Sequence, residues 1–405
     1  MRARSTSSCR CAFDVTAAPA RIVPFPAAQA CAAAAVTRLD LTEFRSYAKL
    51  RLEVPPGPVA LVGPNGAGKT NLLEALSFLA PGKGLRRARM AQIERNGASS
   101  AWAVAAELSL PGETPRLGTI RIGTGRSEGD KRIVRVDGKP MRGQAGLAQH
   151  LSVVWLVPEM DRLLAEGAGA RRRFLDRLVF GFDPDHASQV ASYDHALRER
   201  ARLLADGTGD RDWLAALEDS LARHGVAIAI ARAHIVARLD RAAGAKAGPF
   251  PTPSLALTGE IEALCATMPA LALEDFARAR LASDRVRDAE TGTTHFGPHR
   301  GDLAVRWSEK NAPAATLSTG EQKALLVSLV LAHARELAAE RGRPPILLLD
   351  EIAAHLDPVR RVHLFDELFA LGAQFWATGA DPESFAPLAG RAHMLRVEAG
   401  GIQAF

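Results

Sequence analysis

Three short segments of this 405-residue chain carry residue types whose spacing fits phosphate chemistry. The first is Leu61-Val-Gly-Pro-Asn-Gly-Ala-Gly-Lys-Thr70. Gly63, Gly68, Lys69 and Thr70 stand in the defining places of the pattern G-x-x-x-x-G-K-[ST]. Such glycines let backbone N–H groups curl around phosphate oxygens, and a helix opening near Lys69 aims its positive end at them. Gly63, Pro64, Asn65, Gly66, Ala67 and Gly68 are therefore the expected cradle. Lys69 is expected on the β- and γ-phosphates and the Thr70 hydroxyl on Mg²⁺. The segment predicts a site for a nucleoside triphosphate, ATP being the expected cofactor.

The second segment, Ile346-Leu-Leu-Leu-Asp-Glu351, reads as a buried strand ending in two carboxylates. Adjacent acids at a strand end are hard to justify inside a core. Asp350 is expected to hold Mg²⁺ through water and Glu351 to polarise an attacking water. The third segment is Leu317-Ser-Thr-Gly-Glu-Gln322, before a helix that runs to about Arg341. Ser318 and Glu321 have the spacing of a capping box. The same helix start, with the Ser318 hydroxyl and the N–H groups beside Gly320, also suits a γ-phosphate presented by another subunit. His295 and His299 are spaced like ligands on one helical turn, but Gly297-Pro298 between them forbids that helix, so no metal is expected there.

These segments need elements to position them. Val59–Val62 reads as a short buried strand, and Leu72, Leu73, Leu76 and Leu79 follow at helical spacing. Upstream, Leu39, Leu41, Leu50, Leu52 and Val54 alternate with polar residues around Phe44-Arg-Ser-Tyr47. Trp102 to Leu110 keeps strict period two, and Ile120, Ile122, Ile133–Val136 and the Asp137-Gly138 turn extend an antiparallel meander. Leu151–Val157 and Gln374–Thr378 read as further buried strands. From about Met160 to Glu290 the texture changes to Ala, Arg and Leu at helical spacing. No heptad survives beyond a few turns, so antiparallel helical arms are expected rather than a long coiled coil.

The expected fold is α/β: a mixed sheet bearing the phosphate loop, an antiparallel β meander, and an inserted α-helical arm. The expected boundaries are 1–35 for a disordered extension, 36–160 for the first part of the head, 161–290 for the arm and 291–405 for the rest of the head. Residues 1–35 are rich in Arg, Ser and Ala with one acid, Asp14. That composition suits a transit peptide, a disordered extension or translated upstream sequence.

Hydrophobic residues make up 47% of the chain and charged ones 24%, ordinary for a globular protein. The four cysteines are too few and badly placed for a disulfide scaffold or zinc site. No apolar run reaches the length of a membrane span, and a cytoplasmic location is expected. The net charge of +6 suggests a polyanionic partner. Candidate DNA-contact residues are Lys83, Arg86, Arg87 and Arg89 in one cluster and Arg171, Arg172 and Arg173 in another. Both are compatible with ordinary solvated surfaces.

Taken in order, the phosphate loop, L-S-x-G-E-Q and the strand ending Asp350-Glu351 resemble the ABC ATPase superfamily. Phe44-Arg-Ser-Tyr47, Asn71-Leu-Leu-Glu74, Lys83-Gly-Leu-Arg-Arg87 and Pro158-Glu159 narrow the resemblance to its RecF branch. So do Arg171-Arg-Arg-Phe-Leu-Asp176, Gly297-Pro-His-Arg300 with Asp302-Leu303, and Leu317–Lys323. The resemblance implies an ABC-type head, a weak ATPase, an ATP-dependent homodimer with Ser318 acting across it, and DNA binding in replication, recombinational repair and the SOS response. RecO and RecR proteins are the partners it implies, with recombinase loading at gaps as the task. Three positions depart from the pattern: the N-terminal tail, Thr378 where many ABC ATPases carry a histidine, and Glu159 where a water-sensing Gln is common. Low turnover is therefore expected. A transporter ATPase subunit, an SMC-type chromosome organiser and an ATP-switched DNA adaptor without useful hydrolysis are the competing readings. The long basic insertion disfavours the first, and the absent heptads disfavour the second.

Overall fold

The computed structural model describes residues 20–21, 33–110, 118–127, 131–207, 210–244, 248–353, 356–398 and 401–404. Of the 1–35 extension expected from sequence, residues 1–19 and 22–32 lie outside the described residues, as does His355 in the loop after Glu351. The chain forms two compact units. One comprises residues 1–155, 343–354 and 368–405, the other 156–342 and 355–367. By compactness, residues 291–342 join the helical unit, whereas sequence pattern grouped them with the head.

The first unit carries two sheets. One runs in the order β1 (Ala20–Arg21), β3 (Tyr47–Glu53), β2 (Ala35–Phe44), β5 (Ala103–Leu110), β6 (Gly118–Arg126), β7 (Arg132–Val136) and β8 (Lys139–Pro140). From β3 to β8 every pairing is antiparallel, as the period-two patterning predicts. The Asp137-Gly138 turn has positive φ at both residues, 48° and 78°, the geometry a two-residue hairpin requires. Strand β2 begins at Ala35, and Ala33 and Ala34 are already buried, one to three residues before Val36. Ala20–Arg21 also pairs, in parallel with Leu52–Glu53.

The other sheet runs in the order β16 (Gly401–Ala404), β15 (His393–Glu398), β4 (Val59–Val62), β14 (Phe375–Gly379), β13 (Ile346–Leu349) and β9 (Val153–Leu156). Strands β15, β4, β14 and β13 are parallel, and β16 returns antiparallel. The central strands are buried throughout, which is why they read as continuous apolar runs. The phosphate loop follows β4 and opens α1 (Lys69–Ser77); a short α2 (Met90–Ile93) comes next. Phe44, Phe78 and Trp102 pack edge-on or tilted in the core. The buried Gln374 amide joins the two sheets by bonding both the N–H and the carbonyl of Val36, at 2.8 and 3.1 Å.

The second unit holds α3 (Ala168–Phe182), α4 (His186–Asp206), α5 (Arg211–Ala243), α6 (Glu260–Cys265), α7 (Ala270–Ser283), α8 (Arg285–Thr291), α9 (Thr319–Arg341) and most of α10 (Pro358–Ala370). Tyr193, Leu221, Val226, Ala229, Leu273 and Phe296 lie at the centre of its core. Sequence texture suggests helical arms over 161–290, broken at Pro249 to Pro253. The structure places a strand there, β10 (Pro253–Thr258), antiparallel to β11 (Asp302–Trp307), which also pairs with β12 (Ala312–Pro313). The signal was the alternation of buried Pro253 and Leu255 with exposed Ser254 and Ala256, hidden beside a proline cluster. Among the described residues, no helix is long and apolar enough to cross a membrane.

Candidate nucleotide site

Backbone geometry explains why the loop after β4 is built from glycine. At Gly63 the chain leaves β4 between β14 and β15, and a Cβ there would stand 2.1 Å from the Val397 carbonyl oxygen. Gly68, the residue before α1, has φ of 106°, a conformation L side chains rarely adopt. Its carbonyl accepts the Tyr47 hydroxyl at 3.2 Å, so the Phe44–Tyr47 turn braces the loop from below. Burial keeps that phenol protonated far above its ordinary range. Pro64, Asn65 and Gly66 are exposed at the loop's crest, while Ala67 is buried.

Lys69 is buried, and its ammonium donates to the carbonyl oxygens of Gly63 at 2.6 Å and Pro64 at 2.9 Å. Burial pushes its pKa down, opposed by the nearby Glu351 and Asp350 carboxylates. The cation therefore rests on the loop's own acceptors, within the ring that a phosphate would fill.

The strand β13 delivers Asp350 to the same place. Its Oδ1 accepts the Thr70 hydroxyl at 3.1 Å and the Thr378 hydroxyl at 2.5 Å. Thr378 also accepts the Glu351 backbone N–H at 2.9 Å. Thr378 is fully buried at the end of β14 and so ties both acidic residues to the neighbouring strand. Glu351 has φ of 47°, unusual for a residue with a side chain. The turn is held in that state by the bond to Thr378. Thr70, Asp350, Thr378 and Glu351 thus form one connected polar chain beside Lys69.

Ser318 belongs to the second unit, as the residue capping α9. The capping box is present: the serine Oγ accepts the Glu321 N–H at 3.4 Å, and Glu321 Oε2 accepts the Ser318 N–H at 2.9 Å and hydroxyl at 3.0 Å. Lys310 and these donors hold the Glu321 carboxyl at about 2. Ser318 is exposed, and a Cβ at Gly320 would meet nothing within 4 Å. The helix start is therefore open to an approaching anion.

Residues 35–397 match the model of the RecF/RecN/SMC N terminal domain. The DNA replication and repair protein RecF of Mesorhizobium japonicum is 47% identical over 371 residues, covering 91% of this chain and 97% of the relative. RecF of Brucella suis is 46% identical, covering 91% and 95%. The chain belongs to the RecF family.

The fold agrees with a solved structure of the recombination mediator protein RecF-ATPrS in the RecFOR pathway, at a TM-score of 0.80, 20% identity and coverage of 92% and 98%. The Smc head domain of Pyrococcus furiosus is more distant, at a TM-score of 0.50. Several motifs that carried the RecF resemblance turn out to be structural joints. Arg171 makes a two-pronged pair with Asp302, at 2.8 and 2.6 Å, and Arg172 donates to the Gly301 carbonyl at 2.6 Å. Of that trio Arg173 is the exposed one. In the Gly297–Arg300 turn, the Pro298 carbonyl accepts Arg232 at 2.7 Å, and His299 Nδ1 bonds the Tyr193 hydroxyl at 2.7 Å. His295 pairs instead with Asp288 at 2.8 Å. In the other basic cluster Lys83, Arg86, Arg87 and Arg89 are all exposed. Arg89 also opens α2 through a bond from its N–H to Gln92 Oε1 at 3.1 Å.

Sequence reasoning missed the joining role of Thr378, since its partners lie 27 and 28 residues away. It also missed Arg132, a half-buried guanidinium whose NH1 bonds the Gln144 side-chain oxygen at 2.8 Å. Arg132 donates to the carbonyls of Phe78, Ala80 and Gly82 at the C-terminal end of α1. A cation there complements the helix dipole, and burial pulls its pKa down to about 10.

Proposed function

We propose that this chain is an ATP-dependent DNA-binding protein of recombinational repair and replication, a weak ATPase that uses the nucleotide as a conformational switch. The observation that carries this reading is the connected set Lys69, Thr70, Asp350, Thr378 and Glu351 around a glycine-built loop. When ATP enters, Lys69 exchanges the Gly63 and Pro64 carbonyls for phosphate oxygens, and the loop N–H groups close on the same charge. The Thr70 and Asp350 oxygens lie 3.1 Å apart, a hard-oxygen pair suited to Mg²⁺. Bound there, Mg²⁺ would neutralise charge on the β- and γ-phosphates. Glu351 accepts a proton from the attacking water.

One copy leaves a flank of the γ-phosphate uncovered, and Ser318 with the N–H groups near Gly320 supplies the missing donors from a second copy. ATP thereby favours a two-fold homodimer, and hydrolysis releases it. By likeness to the RecF relatives, the proposed setting is gapped DNA in the cytoplasm, with RecO and RecR as partners, recombinase loading as the outcome and the SOS response downstream. Steady-state phosphate release with and without DNA tests the reading. Slow release that DNA alters is expected. ATP binding with no release at all would leave a DNA adaptor that never turns over.

A further inference from the structure

Glu74 lies one helical turn beyond Thr70 on α1, and its side chain is fully buried. A buried carboxylate is costly unless paired, and this one receives two arginines. Arg45 takes it in a fork, Nε to Oε2 at 2.8 Å and NH2 to Oε1 at 2.6 Å. Arg86, from the basic loop, places NH1 3.3 Å from Oε2. One negative charge therefore faces two positive ones.

The two arginines are held very differently. Arg45 sits in the β2–β3 turn with φ of 52°, its backbone N–H on the Ile93 carbonyl at 2.8 Å and its remaining NH1 on the Gln92 carbonyl at 2.6 Å. It has one placement and keeps Glu74 neutralised. Arg86 contributes only NH1, shared between Glu74 and Asn71 Oδ1 at 2.9 Å, and its side chain is 35% exposed. Among the described residues its Nε and NH2 make no bond. The loop beneath it is fixed, because Ser77 Oγ accepts the Leu85 N–H at 2.8 Å and a Cβ at Gly84 would stand 2.6 Å from the Phe78 ring. A guanidinium with one edge anchored and the other free is oriented for a two-pronged bond to an oxyanion such as phosphate.

We propose that Glu74 is a positioning residue that anchors the inner edge of Arg86, so that its outer edge takes a phosphate of the DNA backbone. The inference rests on the DNA-binding reading above and adds a residue to it. Its sign is distinctive. If Glu74 acted only through charge, removing that charge would strengthen DNA binding. If it aims Arg86, the same change weakens binding.

The test is duplex-DNA affinity of the full chain and its Glu74→Gln variant across a series of salt concentrations, with Arg86→Ala in both backgrounds. Loss of one phosphate contact makes the log–log salt slope shallower by about 0.9. The expected result is that shallower slope and a roughly three- to ten-fold weaker affinity in Glu74→Gln, with no further loss when Arg86→Ala is added. A tighter complex, an unchanged slope or additive losses would overturn the proposal while leaving DNA binding in place. Failure of the unaltered chain to bind DNA removes both. Arg86→Lys covers the case in which Glu74→Gln does not fold, because it leaves the Arg45 fork intact. A lysine keeps the charge, so the slope is expected to hold, but it has no second edge to grip a phosphate, so affinity is expected to fall about three-fold or more. Binding equal to the unaltered chain would refute the aimed edge.

Discussion

The phosphate-loop region and the Ser318 region are built in opposite ways. Around the loop every catalytic candidate is tied down: Lys69 on two carbonyls, Asp350 between two threonine hydroxyls, and the Glu351 backbone on Thr378. At the start of α9 the serine is exposed, its hydroxyl bonds the residue three places on, and the space beside Gly320 is open. A preorganised site needs little from outside to bind its ligand. An exposed capped helix start has donors but no ligand of its own. In the proposed dimer, binding and completion reside in different places, so mutations in each are expected to separate affinity from assembly.

The largest effect is expected at the loop. Lys69→Met removes a charge-assisted donor and is expected to lower ATP affinity about 100-fold, equivalent to roughly 3 kcal/mol, by calorimetry or fluorescence titration. Affinity within a factor of two of the unaltered chain would break the comparison. Next, Glu351→Gln is expected to slow steady-state phosphate release by about 10² or more while ATP still binds and the dimer persists. Retained turnover would remove Glu351 from the reaction.

Smaller effects sharpen which bonds hold the loop region together. Thr378→Val keeps the shape but leaves Asp350 and the Glu351 N–H short of a partner. A stability loss of about 1–3 kcal/mol is expected in denaturant unfolding. The arginine trio provides a parallel contrast within one segment. Arg171→Ala breaks the fork to Asp302 and is expected to cost about 1–2 kcal/mol of stability with little change in the DNA salt slope. Arg173→Ala is expected to leave stability within about 0.5 kcal/mol and make the slope shallower by about one. The reverse assignment would show that the basic surface lies elsewhere.

What the sequence disclosed follows the same division. The loop, the β13 acids and the Ser318 cap were legible because each is a local pattern with fixed spacing. Strand β4 was legible as a continuous apolar run and the meander through its period of two. Thr378, Glu74, Arg132 and the Arg171–Asp302 pair were not, since their meaning comes from partners brought together by the fold. Thr378, a departure from a family pattern, is also the joint between two acids. Arg171 looked like a surface cation and is an internal tie. Strand β10 was lost because the surrounding helical texture and its own proline outweighed a short alternation.

In the proposed dimer the open half of one copy completes the closed half of another. Lys69→Met chains keep Ser318 but lose the loop cation, and Ser318→Arg chains keep the loop but block the helix start. Mixed together, they can assemble one intact composite site, from the Ser318→Arg chain's loop and the other chain's serine. Molar mass measured by light scattering, with ATP and Mg²⁺ present, reads this directly. Each variant alone is expected to stay monomeric, and the mixture is expected to form heterodimers in ATP but not in ADP. ATP-dependent dimers of Ser318→Arg alone, as abundant as those of the unaltered chain, would contradict it and leave Ser318 as a helix cap only.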